Sequence, residues 1–212
     1  MKLTFNLGVG VALHFVCLFS FKANAQTPAT RGIWLMPTLQ FNVSDSAAIN
    51  LQPGWNPQQG MFFIYANSVL KVNRLLDINL GYLFLDLPER NNDESTFMNG
   101  ATLKLGSRKF MLENRNLIWN RFRTLKDSKH YDRNRARLFY HIKFDHYKIS
   151  PYVVDEFWIY LNEIHLARNR VGAGVSLAVV DKLNLDFSYV RQSDRSGDKL
   201  HLFFLVLIKS LN

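Results

Sequence analysis

Arg133-Asn134-Arg135-Ala136-Arg137-Leu138-Phe139-Tyr140-His141-Ile142-Lys143-Phe144 is the stretch on which the fold turns. Its odd positions are Arg133, Arg135, Arg137, Phe139, His141 and Lys143; its even positions are Asn134, Ala136, Leu138, Tyr140, Ile142 and Phe144. A period of two marks a strand, because successive side chains point to opposite faces. One face is strongly cationic and the other grows apolar, as in a wall between a polar and an apolar medium. A helix would scatter both sets around its circumference.

The alternation recurs on either side. In Asp77-Ile78-Asn79-Leu80-Gly81-Tyr82-Leu83-Phe84 the even positions are all apolar or aromatic. From Arg168 the even set is Arg168, Arg170, Gly172, Gly174, Ser176 and Ala178, against Asn169, Val171, Ala173, Val175, Leu177 and Val179. Strands are predicted near 32–42, 61–72, 75–86, 96–106, 108–123, 130–145, 148–161, 167–179, 182–192 and 199–208. Most are longer than the usual strand of a soluble protein and long enough to cross a bilayer when tilted. Tight connections at Asn73-Arg74, Gly106-Ser107, His146-Tyr147 and Val180-Asp181 alternate with longer polar ones at 87–95, 124–129, 162–166 and 193–198. Short turns at one end and longer loops at the other are the pattern of an outer-membrane barrel.

The expectation is an all-β, antiparallel up-and-down transmembrane β-barrel of about ten strands, with twelve as the alternative. Residues 43–60 are expected as an outer loop, because Pro53-Gly54 and Asn56-Pro57 interrupt that run. An eleventh strand there would put the chain ends on opposite sides. Trp34, Tyr82, Trp119, Tyr131, Trp158 and Tyr160 are expected as anchors at the membrane interfaces.

Composition excludes other classes. With 212 residues, 48% hydrophobic and 20% charged, the chain can bury a core and is not disordered. Its single cysteine, Cys17, excludes a disulfide scaffold. Met1-Lys2, the apolar run Leu3 to Phe21 and the small-x-small site Ala23-Asn24-Ala25 read as a secretory signal over 1–25, cleaved before Gln26. Residues 26–212 are then one outer-membrane barrel domain of a Gram-negative envelope, without cysteine. Loss of Lys2 and Lys22 lowers the net charge from +9 to +7, with 24 Lys and Arg against 17 acids. No later run is long and apolar enough for a membrane helix. Outer-membrane lipid and the barrel-assembly machinery are the expected partners. Nucleic acid is not, although Arg115 to Lys143 carries nine Lys or Arg among aromatics.

Register arithmetic gathers the charges. A two-residue turn at His146-Tyr147 puts Arg137 opposite Glu156. Arg115, Arg137, Glu156 and Arg170 then form a row across four strands, with Glu113, Arg121, Arg133 and Arg135 on the same face. Lipid-facing arginine is costly, so this face should line the lumen as a charge cluster that is structural or anion-binding. No cofactor or metal is expected, since His130, His141 and His146 are too scattered for ligand spacing. Two alternatives carry less. Ser188, Ser193, Ser196 and His201 with Asp186, Asp194 and Asp198 are the candidates for an outer-membrane lipid-modifying hydrolase, and the alternating strands also suit a soluble periplasmic β-sandwich binding protein.

The C-terminal half resembles the bacterial envelope family known as domain of unknown function 2490. The matching stretches are Leu112-Glu113-Asn114-Arg115 with Arg121-Phe122, and Arg133-Asn134-Arg135-Ala136-Arg137-Leu138. They continue through Pro151-Tyr152-Val153-Val154-Asp155-Glu156, Asn169-Arg170-Val171-Gly172-Ala173-Gly174 and Phe187-Ser188-Tyr189-Val190-Arg191-Gln192. The resemblance implies an outer-membrane barrel and assigns no activity.

Overall fold

The alternation becomes strands along nearly the whole of the chain that the computed structural model describes, residues 30–86, 93–124, 126–144 and 147–211. The expected signal peptide lies outside these residues. The strands are β1 (Thr30–Ser44), β2 (Ala47–Asn56), β3 (Met61–Lys71), β4 (Leu76–Asp86), β5 (Glu94–Gly106), β6 (Phe110–Arg123), β7 (Lys129–Tyr140), β8 (Ile142–Phe144), β9 (Tyr147–Tyr160), β10 (His165–Val180), β11 (Leu183–Asp194) and β12 (Lys199–Leu211). Chain neighbours pair antiparallel, except that β7 and β8 both pair with β9, and β1 and β12 close the sheet as a parallel pair from Thr30↔Leu200 to Phe41↔Leu211. Closure removes both edges and excludes a β-sandwich.

The strand count corrects the expectation of ten. The short β8 continues β7 in one register: Phe139 faces Tyr152 of β9 and Ile142 faces Ile149. The barrel therefore has eleven positions around its circumference. An odd number of alternating strands leaves the first and last pointing the same way, so only a parallel pair can close it. Thr30 and Leu211 consequently lie at opposite ends. Residues 45–46, 72–75, 107–109, 145–146 and 181–182 connect strands at one end, here the turn end. The connections 57–60, 87–93, 124–128, 161–164 and 195–198 lie at the other, the loop end.

The missing strand is β2, which replaces the outer loop expected over 43–60. Its two interruptions have local answers. The β1–β2 ladder is paired at Leu35↔Trp55 and again at Leu39↔Leu51, and the same register sets Pro37 opposite Pro53. Two residues without N–H groups thus share one gap in the ladder, so each faces a residue that has no N–H to offer or to lose. Gly54 makes room for a ring: a Cβ there would lie 2.1 Å from Phe63.

The two faces differ as the alternation requires. Leu51, Leu80, Phe97, Leu138, Val153 and Val171 on the outer wall are exposed. The inner face of β1 to β3 is lined by amides and hydroxyls that bond one another, among them Asn50 to Asn67 at 3.2 Å and Gln52 to Thr38 at 2.8 Å. The inner face of β4 to β11 carries the charges, beginning with Asp77 of β4, which is paired with Lys104 of β5. Two buried apolar clusters flank them, Met98, Leu117, Trp119, Tyr131 and Trp158 toward the loop end, and Phe139, Tyr152, Val154, Val190 and Leu202 toward the turn end.

The inward positions Gly100 and Gly172 allow their strands to coil closely. A Cβ at either would sit 2.0 Å from the main-chain oxygen of Asn116 or Tyr189. Gly172→Val should therefore cost about 1–3 kcal/mol or more, read as a lowered urea midpoint, whereas Ala173→Val on the outward side should change it little.

Candidate functional site

Glu156 is the centre of the inner charge layer. It sits on β9 between β7 and β10, directly opposite Arg135 on one side and Arg170 on the other. It is 3% exposed, and its carboxylate is filled by donors. Arg133 reaches Oε2 at 2.6 Å, while Arg170 and the Trp158 indole reach Oε1 at 3.0 and 2.9 Å. Glu113, one strand further round on β6, accepts from Arg135 at 3.3 Å and from Arg137 Nε at 3.1 Å. A buried carboxylate needs this: each oxygen that has lost water must find an N–H.

The guanidinium groups are also seated on rings. Trp119 and Trp158 pack edge to face with centroids 4.6 Å apart, and Arg133 rests against the pair, 4.7 and 4.9 Å from the two centroids. Arg137 packs on Phe139 and Tyr152 at 5.0 and 5.5 Å. Arg170 extends the network sideways through Gln192, whose amide it meets at 2.7 Å and which in turn donates to Asp194. Arg168 makes a forked pair with the same Asp194 at 2.7 and 3.1 Å.

This geometry revises the expected row in one position. Arg135, not Arg137, faces Glu156, and Arg137 faces Val154. Tyr147 is a strand residue paired with Phe144 rather than part of a turn with His146. Moving a turn by one residue shifts the register by two, so every side chain keeps its face while its partner changes. The row is Arg115, Arg135, Glu156, Arg170 and Gln192. Arg115 and Arg135 are direct neighbours despite their like charge, and among the described residues no carboxylate is within ion-pair distance of Arg115. Arg121 stands apart from this layer, at the loop end, 3.4 Å from Glu94.

Most of the expected interface anchors are lumen residues instead. Trp119, Tyr131 and Trp158 are buried inside and Tyr160 packs against them, while Trp34 turns inward onto Phe63. Tyr82 alone of the six faces outward. Their places on the outer wall are taken by other aromatics. Tyr82, Phe97 and Phe122 form a contiguous group toward the loop end, with centroids 4.9 and 6.2 Å apart. Phe110 and Tyr140 pair at 5.0 Å toward the turn end. The period-two rule already separated these sets, since Trp119 shares parity with Glu113 and Arg115.

The serine and histidine candidates do not converge. Ser188 is buried on the inner face, whereas His201 lies on the outer face, stacked on Tyr189 with Nδ1 2.6 Å from its hydroxyl. Ser196 bonds Asp198 within the last loop at 2.7 Å, and among the described residues no hydrogen bond joins a serine to His201. Asp186 instead accepts from Tyr152 at 2.7 Å. No group of three His, Cys, Asp or Glu side chains among the described residues is placed to hold a metal ion. What the layer offers chemically is a surplus of guanidinium: Arg115, Arg133, Arg135, Arg137 and Arg170 against Glu113 and Glu156.

A closed all-β barrel with an ion-paired interior is the class that this architecture defines. Within it, the profile of the family described as "Protein of unknown function (DUF2490)" matches residues 31–201, and the chain belongs to that family. No curated protein matches the chain. A solved structure named "Bacterial polysaccharide outer membrane secretin" is similar in fold, with a TM-score of 0.51 at 9% identity. The alignment covers 74% of this chain and 62% of that one, so the chain spans less than two thirds of that protein's length.

Removing the central carboxylate should be far worse than removing the unpaired cation. Glu156→Ala strands Arg133 and Arg170 and should cost about 3–5 kcal/mol, seen as a lowered urea midpoint. Arg115→Gln relieves a like-charge contact and should leave the midpoint unchanged or raised.

Proposed function

We propose that the protein is an outer-membrane β-barrel whose lumen is closed by its own ion layer, a structural or narrowly permeable element of the Gram-negative envelope. The observation that carries this reading is the outer wall: exposed aliphatic side chains around the barrel, with aromatic groups toward both ends. Such a wall suits hydrocarbon flanked by headgroups. Several polar residues that interrupt it satisfy one another, as lipid would demand. Asn114 and Asn134 bond reciprocally at 3.0 and 3.3 Å, and Asn169 donates to Asp155 at 2.9 Å.

Export by the signal over 1–25 and insertion by the barrel-assembly machinery fit the same reading, with outer-membrane lipid as the surrounding partner. The longer loops then face outward from the cell and the short turns face the periplasm. Closure of the lumen follows from the packing of Trp119, Trp158, Tyr152 and Phe139 above and below Glu156. Small ions are the only solutes such an interior suits.

Val153, 57% exposed on the outer wall, separates membrane burial from a soluble life. In lipid vesicles Val153→Arg should cost about 2–4 kcal/mol of stability against urea and should reduce carbonate-resistant membrane association. An unchanged midpoint in vesicles would count against the placement.

A further inference from the structure

The loop end of the barrel holds a cavity of about 910 Å³ that adjoins the ion layer and shares Trp158, Arg168 and Asp194 with its network. It opens between the ends of β6, β7, β9, β10 and β11. Six cations line it: Arg121, Arg123, Lys126, Lys129, Arg168 and Arg195. Three carboxylates join them, Asp127, Glu163 and Asp194. Asp194 is committed to Arg168 and Gln192, and Arg121 is paired with Glu94. Arg123 donates to the Asp127 main-chain oxygen at 3.3 and 2.9 Å, and among the described residues no carboxylate is within ion-pair distance of Lys126, Lys129 or Arg195.

Three of these cations are mounted on strands and held against rings. Arg121 lies 5.6 Å from the Tyr131 centroid, Lys129 5.7 Å from Tyr160 and Arg168 5.3 Å from Trp158. Cations fixed in this way lose little freedom on meeting an anion. The carboxylates narrow the class of ligand. Glu163, with its side chain 68% exposed, and Asp127 would repel a bare polyanion, yet they can accept hydrogen bonds from hydroxyl groups. A ligand that offers negative charge and hydroxyl donors on the same units satisfies both sets. An acidic sugar does so, and the cavity has the volume of an ordinary ligand site.

We propose that this vestibule binds an acidic saccharide, with its carboxylate or phosphate groups on the unpaired cations and its hydroxyls on Glu163 and Asp127. Such sugars occur as free chains and as headgroups of membrane glycolipids, and both present the same chemistry. The assignment of the loop end to the cell exterior rests on the barrel reading above. Binding itself does not, because it can be measured on the purified full chain in detergent micelles.

The test is calorimetric titration with a hexamer of galacturonate, a maltohexaose of equal length, inorganic polyphosphate, and a phosphorylated glycolipid in mixed micelles. The acidic hexamer, the phosphorylated glycolipid or both should bind, at least tenfold more tightly than maltohexaose and polyphosphate, and more weakly as salt rises. The double variant Lys126→Gln/Arg195→Gln removes two loop cations without carboxylate partners, so the barrel should keep its heat-modifiable form and lose at least tenfold in affinity. Binding of the hexamer identifies a free chain as an adequate source, and binding of the glycolipid alone identifies a headgroup. Equal affinity for maltohexaose, tighter binding of polyphosphate, full affinity in the double variant, or no binding by either acidic ligand overturns the proposal. A barrel that binds the hexamer but fails to insert into vesicles would overturn the membrane reading and leave the site standing.

Discussion

A guanidinium cannot be left facing hydrocarbon, and once it is turned inward it must be paired. That constraint organises the molecule around Glu156. The carboxylate draws Arg133 from β7 and Arg170 from β10 to a single point, and Trp158 from its own strand closes the remaining acceptor. Three strands are thereby fixed in register by side chains as well as by the backbone ladder. A slip of one residue would turn Arg133, Arg135 and Arg137 onto the apolar wall, and a slip of two would part Arg135 from Glu156. Breaking such a buried pair costs more than forming it gains, so its main effect is to exclude alternatives.

The rings complete what the carboxylates begin. Five arginines share two glutamates, which leaves guanidinium faces without an ionic partner. The contacting pair Trp119 and Trp158 takes Arg133, and Phe139 and Tyr152 take Arg137. A flat, weakly hydrated cation is suited to this, and a lysine in the same place would not be. The same aromatic side chains form the apolar clusters on either side of the layer, so the closing of the lumen and the support of its charges are one structural feature.

Much of this was legible in the sequence because parity is robust. The alternation from Arg133 to Phe144 places each side chain on the correct face whatever the exact pairing. Partner identity is less robust, since it depends on where a turn begins; a one-residue difference before Tyr147 exchanged Arg137 for Arg135. Gln192 escaped notice for a different reason. A bulge between Ala178 and Val180 moves the β10–β11 register by one residue, so no placement of a two-residue turn alone sets Gln192 opposite Arg170. The strand β2 was hidden by proline and glycine that ordinarily break strands. Only the pairing of β1 with β2 reveals that Pro53 meets Pro37 across a shared gap, and only the position of the Phe63 ring explains Gly54. Aromatic residues misled in the opposite direction, because a tryptophan near a strand end suits a membrane interface and an arginine cluster equally well until parity is applied.

Eleven positions around the barrel also make its interior asymmetric. The inward carboxylate of β4, Asp77, is paired with Lys104. The wall around β1 to β3 is lined by neutral groups: Asn50, Asn67, Gln52 and Thr38 exhaust much of their capacity on one another, and Ser210 donates to Gln40 across the parallel seam at 2.8 Å. The seam therefore needs no charge to hold it, and its bulky inward pair Trp34↔Phe204 supplies packing in place of ion pairs. The wall from β5 to β11 bears the arginine surplus, facing those amides. Neutral amides can orient their dipoles toward guanidinium groups but cannot cancel their charge. The interior thus retains a net positive field whose source is fixed to strands, and the cation-lined loop end extends it in the same sense. An anion that approaches from the loops meets attraction first and a packed layer second, which is the geometry of a surface that captures negative groups rather than one that passes them through.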